Sequence, residues 1–490
     1  MPSPLHASAL SVLLLGLLFG PLPAQEPLDR QVLQPMDVFG LELAADPRIS
    51  PDGQRIVYVR TGMDVMTDRG TSNLWIVEVD GEGHRPLTSG SASHGSPRWS
   101  PDGGRLAYVS TEDGESEIWV RWMDTGQTAR ITNLTESPGS LAWAPDGRSI
   151  AFTMFVPHEG HPLEVDMPTP PEGADWGPPI RVIDKMNYRA DGNPGFVPDG
   201  NVHVFMVPAE GGTPRQLTSG PYDHTSPAWT SDGASLLIPA NRREDASHEP
   251  LDTEIYRVDV TSGEMTPLTA RYGPDGNPRS YPGGGRIAYT GFDDRLQGFQ
   301  VTDLYVMEAD GSESRALTRA FDRSVGSFAW ASDGSGLFFS YDDEGNGKVG
   351  FVDLQGQVRE LVEDVQGLST GRPYSGGQFT VSRNGRIAFT LGTPYHPAEL
   401  AVAEEDGSSI RQLTDLNSDL LGHLELGEVE EIWYESSYDG RPIQGWVVKP
   451  PGFRSDEKYP LVLEIHGGPF ANYGDRFAAE IQLYASAGYV

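Results

Sequence analysis

The residues best suited to chemistry lie near the end of the chain, at His466-Gly467-Gly468-Pro469. Two successive glycines have no Cβ, so their backbone N–H groups can converge on one point. Donors arranged in this way stabilise negative charge that develops in a transition state, an effect worth roughly 3–4 kcal/mol. An ordinary turn between a strand and a loop uses the same residue types, so the four residues alone leave both interpretations open.

The elements that must position these glycines surround them. The apolar run 461–465, preceded by Pro460, predicts a buried strand that ends abruptly at the Gly-Gly-Pro. Upstream of the run, residues 430–435 and 444–449 predict a hairpin. Downstream of the glycines, residues 477–487 predict a helix that ends at Gly488. This pattern differs from that of the preceding chain, so we place a domain boundary near residues 422–427 and assign 428–490 to a second domain.

A turn motif of the type Ser-Pro-Asp-Gly recurs seven times before that boundary. Its last glycines are residues 53, 103, 147, 233, 284, 334 and 385. Asp-Gly or Asn-Gly between alternating apolar runs is a strong hairpin signal, because the glycine accepts a positive φ. Each unit continues with two further strands, and the fourth ends in a pair such as Leu87-Thr88 or Leu413-Thr414. Four strands per unit predict an all-β, seven-bladed β-propeller over residues 36–424.

The order of strands within the units predicts how this ring closes. The first unit begins with its innermost strand near residues 47–49, and the seventh finishes its outermost strand at 412–414. No blade then needs a strand from the opposite end of the chain. We therefore expect a ring closed by side-chain packing between blades one and seven.

One step between glycines, from 147 to 233, exceeds the usual step of 50 by 36 residues. It predicts an insertion within residues 156–200 of blade three, between the second and third strands. The segment is rich in proline and glycine. A long irregular excursion from a regular scaffold often covers or lines a functional site, although sequence drift in a surface loop leaves the same pattern.

Composition excludes several classes of function. The chain has 490 residues, no cysteine and a formal net charge of −34. This charge argues against nucleic-acid binding, which needs a basic surface. An acidic surface would keep the protein soluble or attract cationic peptides. The absence of cysteine excludes disulfides, thiolate metal sites and a cysteine nucleophile. His158-Glu159-Gly160-His161 lacks the helical Glu and the third ligand of a zinc peptidase, so we expect no metal and no cofactor.

Residues 1–25 are predicted to be a cleaved secretory signal peptide. Residues 10–19 are almost wholly apolar, and Ala24 offers a small residue for cleavage. The apolar run is too short to span a bilayer comfortably. We therefore expect a periplasmic or secreted protein that has no stable membrane insertion once the signal is removed.

The repeats, the hairpin and His466–Pro469 together resemble the prolyl oligopeptidase family of serine peptidases, and within it the acylaminoacyl-peptidase and dipeptidyl-peptidase-5-like branch. The resemblance implies that the propeller is followed by the first strands of an α/β-hydrolase domain, which is incomplete within 428–490. It also implies that Gly468 is an oxyanion-hole donor through its N–H, that Gly467 permits the turn, and that His466 fixes the loop by hydrogen bonding. Short peptides are the implied substrates.

In that family the catalytic Ser, Asp and His all follow such a loop. None of them is present here, so the resemblance implies a chain that stops before the nucleophile and is inactive alone. Gly367-Leu368-Ser369-Thr370-Gly371 fits Gly-x-Ser-x-Gly as a string. It lacks the preceding strand and the following helix that a nucleophile elbow needs. The propeller repeats alone leave an alternative, a non-catalytic TolB-like binding module. An oligomer is compatible with the sequence, and the peptide specificity stays open.

Overall fold

The computed structural model describes residues 31–158, 169–177, 182–183, 185–190, 195–374 and 376–490. Within these residues, seven four-stranded antiparallel sheets follow one another along the chain. This confirms the seven-bladed propeller. The predicted signal peptide lies outside the described residues, as do His161 and residues 159–168, 178–181, 184 and 191–194 of the blade-three insertion.

A short strand β1 (Gln31–Val32) and a 3₁₀ helix (Pro35–Gly40) precede the ring. In every blade the four strands pair in chain order, with the innermost first. Blades one to four consist of β2 (Leu43–Ile49), β3 (Arg55–Asp64), β4 (Arg69–Glu78) and β5 (Arg85–Pro86); β6 (His94–Trp99), β7 (Arg105–Ser110), β8 (Glu117–Trp122) and β9 (Thr128–Arg130); β10 (Pro138–Trp143), β11 (Ser149–Pro157), β12 (Gly200–Pro208) and β13 (Arg215–Gln216); and β14 (Ala228–Trp229), β15 (Ser235–Ala240), β16 (Glu254–Asp259) and β17 (Met265–Pro267).

Blades five to seven continue the same order. They consist of β18 (Asp275–Ser280), β19 (Arg286–Gly291), β20 (Asp303–Glu308) and β21 (Arg315–Ala316); β22 (Phe328–Trp330), β23 (Gly336–Asp343), β24 (Asn346–Asp353) and β25 (Val358–Val362); and β26 (Phe379–Val381), β27 (Ile387–Thr393), β28 (His396–Ala403) and β29 (Arg411–Gln412). The insertion of blade three lies between β11 and β12, its second and third strands, as the glycine spacing predicted.

The repeated turn forms as its sequence predicts. All seven of its last glycines have φ between 68° and 85°, a region that residues with a Cβ seldom adopt. The Asp before the glycine accepts hydrogen bonds that close the turn; Asp102, for example, accepts from the Gly104 N–H at 3.0 Å and from the Ser100 hydroxyl at 2.5 Å. These contacts are local, so the turn can be recognised from a few residues.

The threonine at the end of each repeat has a structural role that the sequence pattern does not explain. In six blades its hydroxyl accepts a hydrogen bond from a backbone N–H of the third strand, at 2.8–2.9 Å. The threonines are Thr88, Thr132, Thr218, Thr269, Thr318 and Thr414. In four of these blades the hydroxyl also donates to a carboxylate of that strand, in Glu117, Glu254, Asp303 or Glu399. Val362 occupies this position in blade six.

The ring closes between blades one and seven by packing, as predicted. In the described part of the chain, no sheet contains strands of both blades. Instead, the buried Tyr58 of blade one and Leu400 of blade seven share one hydrophobic cluster. The Arg386 guanidinium of blade seven also donates to the Gly53 carbonyl of blade one at 3.1 Å. Side chains therefore seal a junction that has no shared backbone ladder.

A smaller region follows the ring. Its elements are α1 (Ser418–Leu421), β30 (Leu424–Glu425), β31 (Glu428–Glu435), β32 (Pro442–Lys449) and α2 (Ala479–Ser486). The predicted hairpin (β31–β32) and the predicted helix (α2) are both present. The chain before the ring returns to this region, because β1 pairs in parallel with β30 and Leu41 packs in a small core with the fully buried Phe477. No helix of the described residues is both long enough and apolar enough to cross a membrane.

Candidate functional site

One face of the ring carries the loops that join the second and third strands of each blade, and we call it the docking face. The segment 428–490 contacts this face over blades five to seven. Phe470 packs on Phe299 of blade five with ring centroids 5.9 Å apart, and the Val429 N–H donates to the Tyr395 hydroxyl of blade seven at 3.2 Å. Because the blade-three insertion also joins a second strand to a third, it leaves the ring on the docking face.

The glycine loop, His466–Pro469, lies against the docking face. Gly468 has a φ of 138°, and a Cβ at this position would lie 2.9 Å from the N–H groups of Phe470 and Ala471. Both the backbone conformation and the available space therefore require glycine here. The Gly468 N–H donates to no acceptor within the described residues, so it remains available to a ligand.

Tyr374, in the loop that leads into blade seven, holds the neighbouring glycine. Its hydroxyl accepts the Gly467 N–H at 3.0 Å. Its ring packs edge-on against Tyr473, with centroids 4.8 Å apart. Burial and hydrogen bonds to Tyr374 and Glu464 raise the pKa of Tyr473 to about 12, so this hydroxyl stays protonated near neutral pH. A side chain of the propeller thus fixes one of the two amides and leaves the other exposed.

His466 makes its contacts within the loop. Its Nδ1 lies 3.0 Å from the carbonyl oxygen of Gly467, and its ring packs edge-on against Tyr473 at 5.8 Å. The contacts of His466 are therefore with Gly467 and Tyr473, and its role in fixing the loop stays a prediction.

Arg372 connects the propeller to the segment that carries the glycine loop. Its guanidinium forms ion pairs with Glu464, at 3.1 Å, and with Glu480, at 2.9 Å. The hydrogen bond to Glu480 and the charge of Glu464 raise the pKa of Arg372. Sequence reasoning missed Arg372 and Tyr374 because they lie far from the motif in the chain, and Tyr473 because it lies in an irregular loop without a recognisable pattern.

The Gly-x-Ser-x-Gly string at 367–371 serves as a docking surface for α2. The first N–H groups of the helix donate to its carbonyls, from Ala479 to Thr370 at 2.8 Å and from Glu480 to Gly371 at 3.3 Å. The Ser369 hydroxyl donates to the carbonyl of Arg372 in the same loop. The string has neither the strand nor the helix of a nucleophile elbow, as the sequence argument required.

A buried arginine provides a second connection to the propeller. The side chain of Arg476 is 1% exposed and pairs with Asp342 of blade six at 2.8 Å. Burial lowers the pKa of this guanidinium even though Asp342 lies beside it. Next to it, the Gln366 side-chain amide donates to the Asp475 carbonyl at 2.6 Å.

The prediction of a buried strand at 461–465 is wrong for this structure. The residues form no regular strand, and Leu461, Leu463 and Ile465 are 72–75% exposed. The run has one neighbour, since the Val462 N–H donates to the Val490 carbonyl at 2.9 Å and the Val490 N–H to the Pro460 carbonyl at 3.0 Å. This is the slanted pattern of a parallel pair. Parallel strands are buried only when neighbouring strands and helices cover both faces, and in the described residues a single residue accompanies this run.

The metal interpretation of the blade-three histidines finds no support in the part of the chain that the structure describes. His158 contacts Asp199 at 3.1 Å and Asn201 at 2.9 Å, which ties the start of the insertion to its end. No group of three or more potential ligands lies close enough to hold a metal among the described residues.

Comparison with known proteins places this geometry in context. Residues 40–162 match the family model described as a TolB beta propeller domain. The chain is 26% identical to an uncharacterized peptidase, YuxL, of Bacillus subtilis, covering 92% of this chain and 69% of the relative. It is 26% identical to dipeptidyl-peptidase 5 of Porphyromonas gingivalis, covering 92% of this chain and 66% of the relative.

A solved acylaminoacyl peptidase in complex with Z-Gly-Gly-Phe-chloromethyl ketone has the same fold. It superposes with a TM-score of 0.73 at 20% identity, covering 92% of this chain and 64% of that one. The chain thus spans about two thirds of the length of the proteins it matches. The resemblance drawn from the sequence is confirmed, since the homologues are named as peptidases and the structural neighbour combines both parts of the fold.

Proposed function

Because the chain is a homologue of peptidases of the prolyl oligopeptidase family, we propose that it forms the propeller and the oxyanion-loop part of an exported serine peptidase that acts on short peptides. In this proposal a Ser-His-Asp triad lies in a part of the protein that follows Val490. The serine attacks the scissile carbonyl, His takes its proton, and an acyl-enzyme forms and is then hydrolysed. The Gly468 N–H stabilises the negative charge on the carbonyl oxygen.

One observation carries the proposal, the conformation of the glycine loop on the docking face. Gly467 is held by Tyr374 while the Gly468 N–H has no acceptor in the described part of the chain. A donor that is fixed in advance stabilises an oxyanion without reorganisation during the reaction. The proposal of short peptides is supported by the ring above the loop, which would limit access from one side, and by the peptide-like inhibitor of the structural neighbour.

The test uses a chain continued through the coding sequence that follows Val490. We expect this protein to cleave aminoacyl or dipeptidyl chromogenic substrates and the 490-residue chain to show no turnover. Gly468→Ala should lower kcat by about 10²–10³ because the donor is displaced. Gly371→Ala is the control, since a Cβ at Gly371 meets no atom within 4 Å and should leave kcat unchanged.

Three results would contradict the proposal. They are turnover by the 490-residue chain, a following coding sequence without a Gly-x-Ser-x-Gly elbow, and equal kcat values for the Gly468→Ala and Gly371→Ala variants. Export is tested separately, by mass spectrometry of the mature N-terminus. We expect it to begin after Ala24, and an uncleaved N-terminus would remove that part of the proposal.

A non-catalytic binding module is the second candidate, favoured by the match of residues 40–162 to the TolB beta propeller domain. That match covers blades one and two and the start of blade three, so it reports on the blade rather than on the activity of the protein. The glycine loop distinguishes the two functions, because a binding module does not need the Gly468 N–H to be left without an acceptor, as it is among the described residues. The second candidate would be favoured if the continued chain showed no turnover and bound a partner as tightly as the 490-residue chain does.

A further inference from the structure

The innermost strands place one residue of each blade at an equivalent position beside the ring axis. The position is fixed by a repeated contact, in which the indole N–H of the next tryptophan donates to its carbonyl at 2.8–3.0 Å. The donors are Trp99, Trp143, Trp229 and Trp330, and the acceptors are Arg48, Arg98, Ala142 and Arg279. In blades four, six and seven the corresponding residues are Ala228, Ala329 and Thr380. Three blades therefore present arginine at one level, and the other four have a smaller side chain there, alanine or threonine.

The equivalent positions put the three arginines at one level of the ring. Arg279 belongs to blade five, which is three places from both blade one, with Arg48, and blade two, with Arg98. Side chains of blades so far apart approach each other only at the axis. Burial, and after it the positive charge of Arg98, lowers the pKa of Arg279 and of Arg48, to about 10 for Arg48. Although protein surrounds Arg279 on several sides, its side chain is exposed to water, as expected for the wall of a channel.

One carboxylate, that of Asp46, pairs with two of the three arginines. Asp46 accepts from Arg48 Nε at 2.7 Å and from Arg98 Nη1 at 2.9 Å. Arg279 forms no ion pair within the described residues. Its guanidinium donates a hydrogen bond to the Pro278 carbonyl at 2.9 Å. Among the described residues, one carboxylate forms ion pairs with these three guanidinium groups, which leaves two positive charges uncompensated there, in a protein whose net charge is −34.

We propose that the axial channel is a binding site for a carboxylate, held by Arg279 together with the free edges of Arg48 and Arg98. A guanidinium presents a planar fork of donors that matches a carboxylate, and low surrounding dielectric strengthens such a pair. The ligand class is a small organic acid or the C-terminal carboxylate of a short peptide. The site lies in the ring, away from the glycine loop, so it goes beyond the proposed peptidase activity and does not depend on it.

The test is isothermal titration calorimetry on the 490-residue chain with four probes. They are N-acetyl-alanyl-alanine, the same compound as its C-terminal amide, succinate and inorganic phosphate. We expect the free acid to bind at least about tenfold more tightly than the amide, because only the acid can pair with Arg279. Binding by succinate as well as the peptide acid assigns the site to carboxylates in general, and binding by the peptide acid alone assigns it to peptide ends. Phosphate binding more tightly than either acid would overturn the ligand class.

Arg279→Gln should weaken binding of the acid about tenfold and abolish its preference over the amide. Arg85→Gln is the matched control, since Arg85 also has one backbone contact, to Gly83 at 2.8 Å, and forms no ion pair among the described residues. It lies on the outermost strand of blade one, so binding should be unchanged. Equal affinity of the unsubstituted chain for acid and amide would overturn the proposal without any variant, as would equal effects of the two substitutions in folded protein.

Discussion

The propeller and the segment 428–490 obtain their partners in different ways. Each blade, apart from the insertion of blade three, is completed within about fifty residues and packs its faces against neighbouring blades, so Phe338 and Leu400 are fully buried. In the later segment, Trp433 and Tyr434 of the hairpin are about half exposed and Leu463 is 75% exposed. The comparison shows that a repeated antiparallel unit supplies its own neighbours, whereas a parallel strand depends on elements that are distant in the chain.

The largest expected effect tests this difference in burial directly. Phe338→Ala removes a ring that is fully buried and packs edge-on against Phe351 at 5.2 Å, and it should lower the free energy of unfolding by about 3–5 kcal/mol. Leu463→Ala should change it by less than about 0.5 kcal/mol, because the side chain is mostly exposed. Urea denaturation followed by tryptophan fluorescence measures both. Similar losses for the two variants would mean that the regions do not differ in this way.

Acid should weaken the ring before it affects the later segment. His203 and His224 of blade three are buried with Nδ1 atoms 3.2 Å apart. Burial and the neighbouring His203 lower the pKa of His224 to about 4, below its unfolded value of about 6.5. The unfolded chain therefore binds more protons between these values, so stability is present above pH 6.5 and falls as the pH drops towards 4. Between pH 7 and pH 5 the loss should be about 2 kcal/mol.

Denaturation at a series of pH values measures this loss, and hydrogen exchange localises it. Amides of β12 should lose protection as the pH falls, while those of β31 and β32 should not. His224→Gln should flatten the dependence of stability on pH, and His423→Gln, at a site in the linker, should leave it unchanged. If the free energy of unfolding depends on pH equally in both variants, groups other than His224 cause the acid sensitivity.

A smaller effect is expected from the threonine contacts that the repeats share. Thr414→Val removes the hydroxyl that accepts the Leu400 N–H and donates to the buried Glu399. It should cost about 1–2 kcal/mol, because a buried donor and acceptor lose a partner. Thr88→Val should cost less, since the second partner of Thr88 is the neutral side chain of Asn73. Urea midpoints in the opposite order would show that the carboxylates do not strengthen these contacts.

The smallest effect concerns the contact between the two regions. Tyr374→Phe removes the hydroxyl that accepts the Gly467 N–H but keeps the ring packing on Tyr473. Global stability should hardly change, and exchange of the Gly467 amide should become about fivefold faster, as for the loss of one hydrogen bond. Tyr395→Phe is the control on the same face, because its hydroxyl contacts Val429 instead. If the exchange rate of the Gly467 amide is unchanged in Tyr374→Phe, this hydrogen bond from the propeller does not hold the glycine loop.

The sequence alone determined the number of blades, their order and the absence of a shared closing strand. It could do so because the glycine turn and its alternating strands are local signals repeated seven times, and a terminal threonine follows in six of the seven units. It also located the glycine loop, since Gly467 and Gly468 are adjacent in the chain. The hairpin and α2 were predicted for the same reason.

Only the tertiary structure decided what surrounds that loop. Tyr374 and Arg372 are about ninety residues away from it in sequence, and no local pattern pairs them with Gly467 or Glu464. The run 461–465 has the composition of a buried strand, yet it is exposed because burial depends on neighbours and not on composition. The equivalent placement of Arg98 and Arg279 on the innermost strands likewise exists only once the ring has closed, because closure brings residues of distant blades to one axis.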